Sequence, residues 1–201
     1  MEIYEVNSNS WRVLDSDNPD FQINRDGISL KGNTYWLASS NEEDEETVDC
    51  FLISFDFTME RFGSPICLPI TGCFHTFSLS SVREEELSVL FQHEEESTLE
   101  IWITNNITET NNALSWSKFF KIDINGFQRL WNDVYFFIGE ENKVAVCCDD
   151  VAGGGFNTIL FGGVANIVYI IGEDRWTEKD LGGEYGRCQR MFRYVPSLVQ
   201  I

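Results

Sequence analysis

The stretch FSLSSVREEELSVLFQ at 77–92, continued by LEIWIT at 99–104 and SWSKFFKI at 115–122, decides the fold of this 201-residue chain. Short apolar runs alternate with charged or small turn residues, and no window sustains the i, i+3, i+4, i+7 spacing of an amphipathic helix. Four strands are therefore expected in succession: 77–82, a turn from Arg83 to Glu86, 87–92, 99–104 and 115–122.

The same order recurs on either side. Toward the N-terminus, ISL at 28–30, a Lys-Gly-Asn turn at 31–33 and TYWLAS at 34–39 form one hairpin. FLISFDF at 51–57, a turn near Thr58 to Glu60 and a strand from Arg61 to Leu68 form the next. Toward the C-terminus come VYFFIG at 134–139, VAVCCD at 144–149 and NIVYIIG at 166–172. Trp36, Val89 and Val146 hold equivalent places in the second strand, 53 and 57 residues apart. The aromatic that opens the fourth strand falls at Trp11, Phe62, Trp116 and Trp176, at spacings of 51, 54 and 60.

A period near these spacings that holds four antiparallel strands is the signature of a kelch-like β-propeller blade. One blade cannot bury both its faces, so blades stack face to face; Trp11, Trp36, Trp102, Trp116 and Trp176 are thus expected to pack between them. The fold class is all-β: a partial propeller of three to four four-stranded antiparallel blades in a single domain, 1–201. EIYEV and SWRVL enter as the third and fourth strands of a blade, and two full blades and a third that ends near Asp180 follow. Three arrangements fit: the tail CQRMFRYVPSLVQI at 188–201 supplies closing strands, the blades form an open arc, or the chain is a piece of a longer protein. An open arc would expose an apolar face at each end and self-associate.

Composition supports strands: 16 Phe, 6 Tyr and 6 Trp against five alanines. The 33 acidic and 14 basic residues give a charge of −19, which argues against nucleic-acid or anionic-membrane partners. From Glu173 onward five acids balance five bases, so the whole charge sits in residues 1–172. Glu42 to Glu46 and Glu94 to Glu96 read as solvated loop tips, without the spaced oxygen ligands and turn glycine of a calcium loop. No cationic segment with an apolar run opens the sequence, and no uncharged stretch reaches membrane-helix length. Cys50, Cys67, Cys73, Cys147, Cys148 and Cys188 are too sparse and irregular for a disulfide scaffold and read as reduced thiols in a cytoplasmic or nuclear protein. The sequon Asn106-Ile107-Thr108 is a common triplet and carries no glycan expectation here.

No catalytic constellation emerges, and none is expected, nor is a cofactor or metal. The two histidines, His75 and His93, lie in no recognisable motif, and two cannot supply the copper ligands of a kelch-like oxidase. Adjacent Cys147 and Cys148 point to opposite faces of a strand, which suits thiols rather than metal ligands. Ala152-Gly153-Gly154-Gly155-Phe156 lacks the Gly-Lys-Ser/Thr ending of a phosphate loop. Binding through surface loops is the mechanism that remains, with candidates at 41–49, 93–98, 105–112 and 151–157. The acidic loops either select a basic patch on a protein target, with salt-sensitive affinity, or serve solubility alone.

NSWRVLD at 9–15, GISLKGNTYWLAS at 27–39, FLISFDFTMERFG at 51–63, LSSVREEELSVLFQ at 79–92, LEIWIT with ALSWSKF at 99–104 and 113–119, and YVPSLVQI at 194–201 resemble the F-box-associated domain, type 1, of plant F-box proteins. The resemblance implies the substrate-recognition part of a receptor. In such receptors an N-terminal F-box docks a Skp-type adaptor in a cullin-based ubiquitin ligase, and the propeller holds the protein target for ubiquitination. No F-box-like helical region precedes the propeller segment here, so the adaptor and cullin are expected partners only if an F-box lies upstream. A stand-alone propeller scaffold or decoy is the rival expectation.

Overall fold

A computed structural model describes residues 2–14, 20–23, 27–40, 50–70, 74–83, 85–93, 98–105, 114–123, 134–139, 145–150, 166–171 and 176–180. Every regular element among them is a strand, and every pairing is antiparallel. The tail at 188–201 and the sequon lie outside the described residues. The chain divides into two compact units, Met1–Gly72 with Asn105–Trp116, and Cys73–Thr104 with Ser117–Ile201.

In the first unit, β1 (Glu2–Glu5) and β2 (Ser10–Val13) pair as a hairpin. There follow β3 (Phe21–Ile23), β4 (Ile28–Leu30), β5 (Asn33–Ser40), β6 (Cys50–Asp56), β7 (Arg61–Phe62) and β8 (Ile66–Cys67). These six segments occupy four rows. β3 and β4 both pair with β5, and β7 and β8 both pair with β6, so the first and fourth rows are each interrupted strands. Pro65, which has no N–H to give a ladder, lies in the break between β7 and β8. Lys31 and Gly32 both take positive φ, 50° and 79°, and make the two-residue turn whose twist suits the β4–β5 hairpin. The rings of Phe21, Trp36 and Phe55 gather on Phe62, with centroids 5.4, 6.5 and 5.1 Å away.

The second unit holds β9 (Phe74–Val82), β10 (Glu86–His93), β13 (Val134–Ile138), β14 (Ala145–Asp150), β15 (Asn166–Ile171), β16 (Trp176–Asp180) and most of β11 (Thr98–Asn105) and β12 (Ser115–Asp123). Two four-stranded meanders result, β9 to β12 and β13 to β16, each in sequence order. Leu90, Leu99, Ile101, Phe120 and Ile122 of one sheet meet Val134, Phe136, Tyr169 and Ile171 of the other in a single core, against which Phe119, Ile138 and Trp176 pack. At the first strands the packing changes from apolar to hydroxylic. The register puts Thr76, Ser78 and Ser80 in line with Gln92, Leu90 and Ser88, and all but Leu90 are buried polar residues. Their small side chains let β13 lie against β9, and Ser78 Oγ donates to the Val134 carbonyl at 2.5 Å. Close approach of first strands with bulky later strands is the wedge that face-stacked blades require.

The two markers read from the sequence fall where the repeat puts them. Trp36, Val89 and Val146 lie in the second rows, opposite Ile53, Trp102 and Ile170 in the third. Trp11, Phe62 and Trp116 are the second residues of β2, β7 and β12, and Trp176 is the first of β16. β10 is buried on both faces, with Leu87, Val89, Leu90 and Phe91 all at 0% exposure. Trp11 departs from the packing expectation: at 68% exposure it lies on a hairpin of two strands, with no described sheet over its ring.

Candidate functional site

Strand alternation divides the β1–β2 hairpin into two faces. Tyr4 opposite Trp11 and Glu2 opposite Val13 share one; Ile3 opposite Arg12 and Glu5 opposite Ser10 share the other. On the first face the Tyr4 and Trp11 rings meet at 5.1 Å, tilted by 55°, with Val13 exposed beside them. On the second, Arg12 makes a bidentate pair with Glu60, its Nη1 donating to Oε2 at 2.8 Å.

Local chemistry fixes both ends of that pair. The Tyr4 hydroxyl donates to Asn9 Oδ1, and Asn9 sits at φ 52°, a conformation its short polar side chain tolerates. Ser8 Oγ donates to Glu5 Oε2 at 2.6 Å. In the β6–β7 turn, Asp56 Oδ1 accepts from the Thr58 and Met59 amides at 2.8 and 3.0 Å. This presents Phe57 and Met59 to solvent beside Glu60. The hydrogen bond from Arg12 holds the Glu60 carboxyl below its ordinary value, and Glu60 in turn raises the guanidinium. Exposed Trp, Tyr, Met and Arg are the side chains over-represented in protein interfaces.

A second constellation sits on β11 and β12. Glu100, 3% exposed, accepts from Trp102 Nε1 at 2.9 Å and from Lys118 Nζ at 3.0 Å, and pairs with Lys121 at 3.1 Å. Lys118 Nζ lies 4.8 Å from the Trp102 ring centroid. Burial pushes the Glu100 carboxyl up, but the bonds from Lys118, Lys121 and Trp102 outweigh it and hold the acid below its ordinary value. Glu100 pairs with both lysines, which makes this a brace between β11 and β12.

Of the loops singled out from the sequence, 41–49 and 151–157 and most of 93–98 and of 105–112 lie outside the described residues. His93 ends β10 at a register shift; His75, Cys147 and Cys148 lie within β9 and β14. No group of three or more His, Cys, Asp or Glu side chains gathers as a metal site among the described residues. Trp116 and Trp176 reach beyond their own sheet as expected, whereas the contacts of Trp36 and Trp102 lie within theirs. Trp36 covers Gly27, Trp116 Nε1 donates to the Cys67 carbonyl at 3.1 Å, Trp176 meets Tyr169 at 6.3 Å, and Trp102 lies against Glu100 and Lys118. Nothing local in the sequence points to the Arg12–Glu60 link, because its partners are 48 residues apart in different repeats.

Stacked four-stranded antiparallel sheets with a blade-length repeat define a β-propeller fold. Residues 1–201 match the F-box associated beta propeller domain family, and the chain belongs to it. Three Arabidopsis thaliana relatives illustrate the likeness. A putative F-box protein is 52% identical over 207 residues, covering 100% of this chain and 53% of the relative. A putative F-box/kelch-repeat protein is 49% identical over 216 residues, covering 100% and 54%. F-box protein ETP2 is 40% identical over 210 residues, covering 100% and 52%. The chain spans about half the length of the relatives it matches. No solved structure matches it.

Proposed function

We propose that this chain is the target-recognition part of an F-box receptor: it holds a protein for ubiquitination by a cullin-based ligase and performs no chemistry itself. The observation that carries this reading is the family match over the whole chain, shared with relatives that are F-box proteins. The rigid blade cores and the exposed aromatic hairpin suit it, since recognition by propellers rests on surface features held by a packed frame. Docking of a Skp-type adaptor is, in this proposal, the task of an F-box of the kind that names the relatives, and the place of action is the cytoplasm or nucleus.

Overproducing the chain in plant cells tests the reading. A recognition domain without added adaptor contacts should compete with full receptors, so a set of proteins should accumulate that also accumulates when cullin-based ligases are inhibited. A proteome in which no such shared set appears would contradict it.

A further inference from the structure

The register sets Glu100 opposite Phe91 and Trp102 opposite Val89, so the Glu100 carboxylate stands on an apolar face of β10 and β11. A buried charge in such surroundings is costly unless it is paired. One cation would pair it, and β12 brings two to the same oxygen. Lys118 Nζ and Lys121 Nζ lie 3.0 and 3.1 Å from Glu100 Oε1, while Oε2 takes the Trp102 indole N–H at 2.9 Å. The two nitrogens are therefore within about 6 Å of each other, where like charges repel. Each lysine side chain nonetheless keeps 43% of its surface exposed.

A buried acid with two half-exposed ammonium groups is one side of an alternating charge network. An oxyanion on the outer side of the two nitrogens would accept hydrogen bonds from both and offset their repulsion. Each ammonium carries three donors, so the bond to Glu100 does not exhaust either. The Trp102 ring, 4.8 Å from Lys118 Nζ, walls the site on one side and holds that ammonium in place. A carboxylate or phosphoryl group fits, because its oxygens can reach two nitrogens at once. The chain's charge of −19 disfavours a polyanion, but salt screens it beyond about 10 Å, so a single oxyanion carried on a polypeptide segment suits the site.

We propose that Lys118 and Lys121, held by Glu100 and walled by Trp102, bind a carboxylate or phosphoryl side chain of a partner protein. The site stands apart from the receptor reading: it requires neither an F-box nor degradation of what it binds.

The test uses the full chain with 15N-labelled tryptophan, in which the Trp102 indole N–H reports on Glu100 directly and Trp102→Phe identifies its resonance. The probes are capped peptides Gly-Ser-Val-X-Val-Ser-Gly with phosphoserine, Glu or Ser at X, and inorganic phosphate. A charged peptide should move the Trp102 resonance saturably, and the serine peptide should not. Preference for phosphoserine makes the site one for a phosphoryl group; parity or preference for Glu makes it one for a carboxylate. Lys118→Gln, which leaves Lys121 on Glu100, should weaken binding by about tenfold, and Lys118→Arg should retain it. Lys121→Gln, which leaves Lys118 in place, should weaken it as well. No saturable response to either charged peptide, an equal response to the serine peptide, or binding unchanged in both glutamine variants would overturn the proposal. So would saturation by inorganic phosphate with no response to the peptides, because the site would then take a free ion rather than a partner.

Discussion

Gly27 lies beneath the indole of Trp36, so that a Cβ added to it would come within 2.7 Å of ring atoms Cδ1 and Cε2. The ring is rigid and is itself held near Phe62, at 6.5 Å between centroids. Gly27→Ala should therefore destabilise the protein by about 1–3 kcal/mol through overpacking. Urea unfolding measures the loss, and in a Trp36→Phe background the same change should cost less.

Arg12 and Glu60 are exposed, so their link should orient the hairpin more than stabilise the fold. Arg12→Ala or Glu60→Ala should raise amide hydrogen exchange in 2–13 and leave the global urea midpoint nearly unchanged. The two changes together should do no more than either alone.

Glu100 is buried, and its folded pKa lies below the ordinary 4.5. Its contribution is therefore complete above the unfolded value and is lost as pH falls through the lower, folded one. Glu100→Gln should cost about 1–3 kcal/mol at neutral pH. The variant should also show a smaller fall in stability between neutral pH and the acid side of the carboxylate range. Urea titrations across that range give both quantities.

Ser88 Oγ is buried with no hydrogen-bond partner among the described residues, whereas Ser78 Oγ bonds the Val134 carbonyl across the sheets. Ser88→Ala should be neutral or stabilising by up to about 1 kcal/mol, and Ser78→Ala should cost about 0.5–1.5 kcal/mol. Thermal or urea unfolding of the two variants side by side distinguishes them.

Row order was legible in the sequence because strands and turns are local: Trp36, Val89 and Val146 mark the second rows, and Lys31-Gly32 marks a hairpin. Burial was less so. Alternation in LEIWIT sets Glu100 opposite in face to Leu99 and Ile101, yet cannot tell a solvated face from a covered one. The lysines that make burial tolerable lie a strand away. Trp11 carries the same marker as Trp176 and is exposed, because packing depends on the sheet that faces a residue and not on its place in the repeat. The loops that the sequence pointed to for recognition fall largely outside the described residues, whereas the shared face of Tyr4 and Trp11 and the Arg12–Glu60 link emerge only from register and long-range pairing.

The central claim, that this propeller domain holds protein targets of a ubiquitin ligase, is tested most directly by placing a photo-reactive amino acid at Trp11 and, as a control, at the fully buried Phe91. Irradiation in plant cells should yield protein adducts at the first position, absent at the second, whose captured partners have longer lifetimes when cullin-based ligases are inhibited. Adducts that are missing, that are the same at both positions, or whose partners keep their lifetimes would contradict the account.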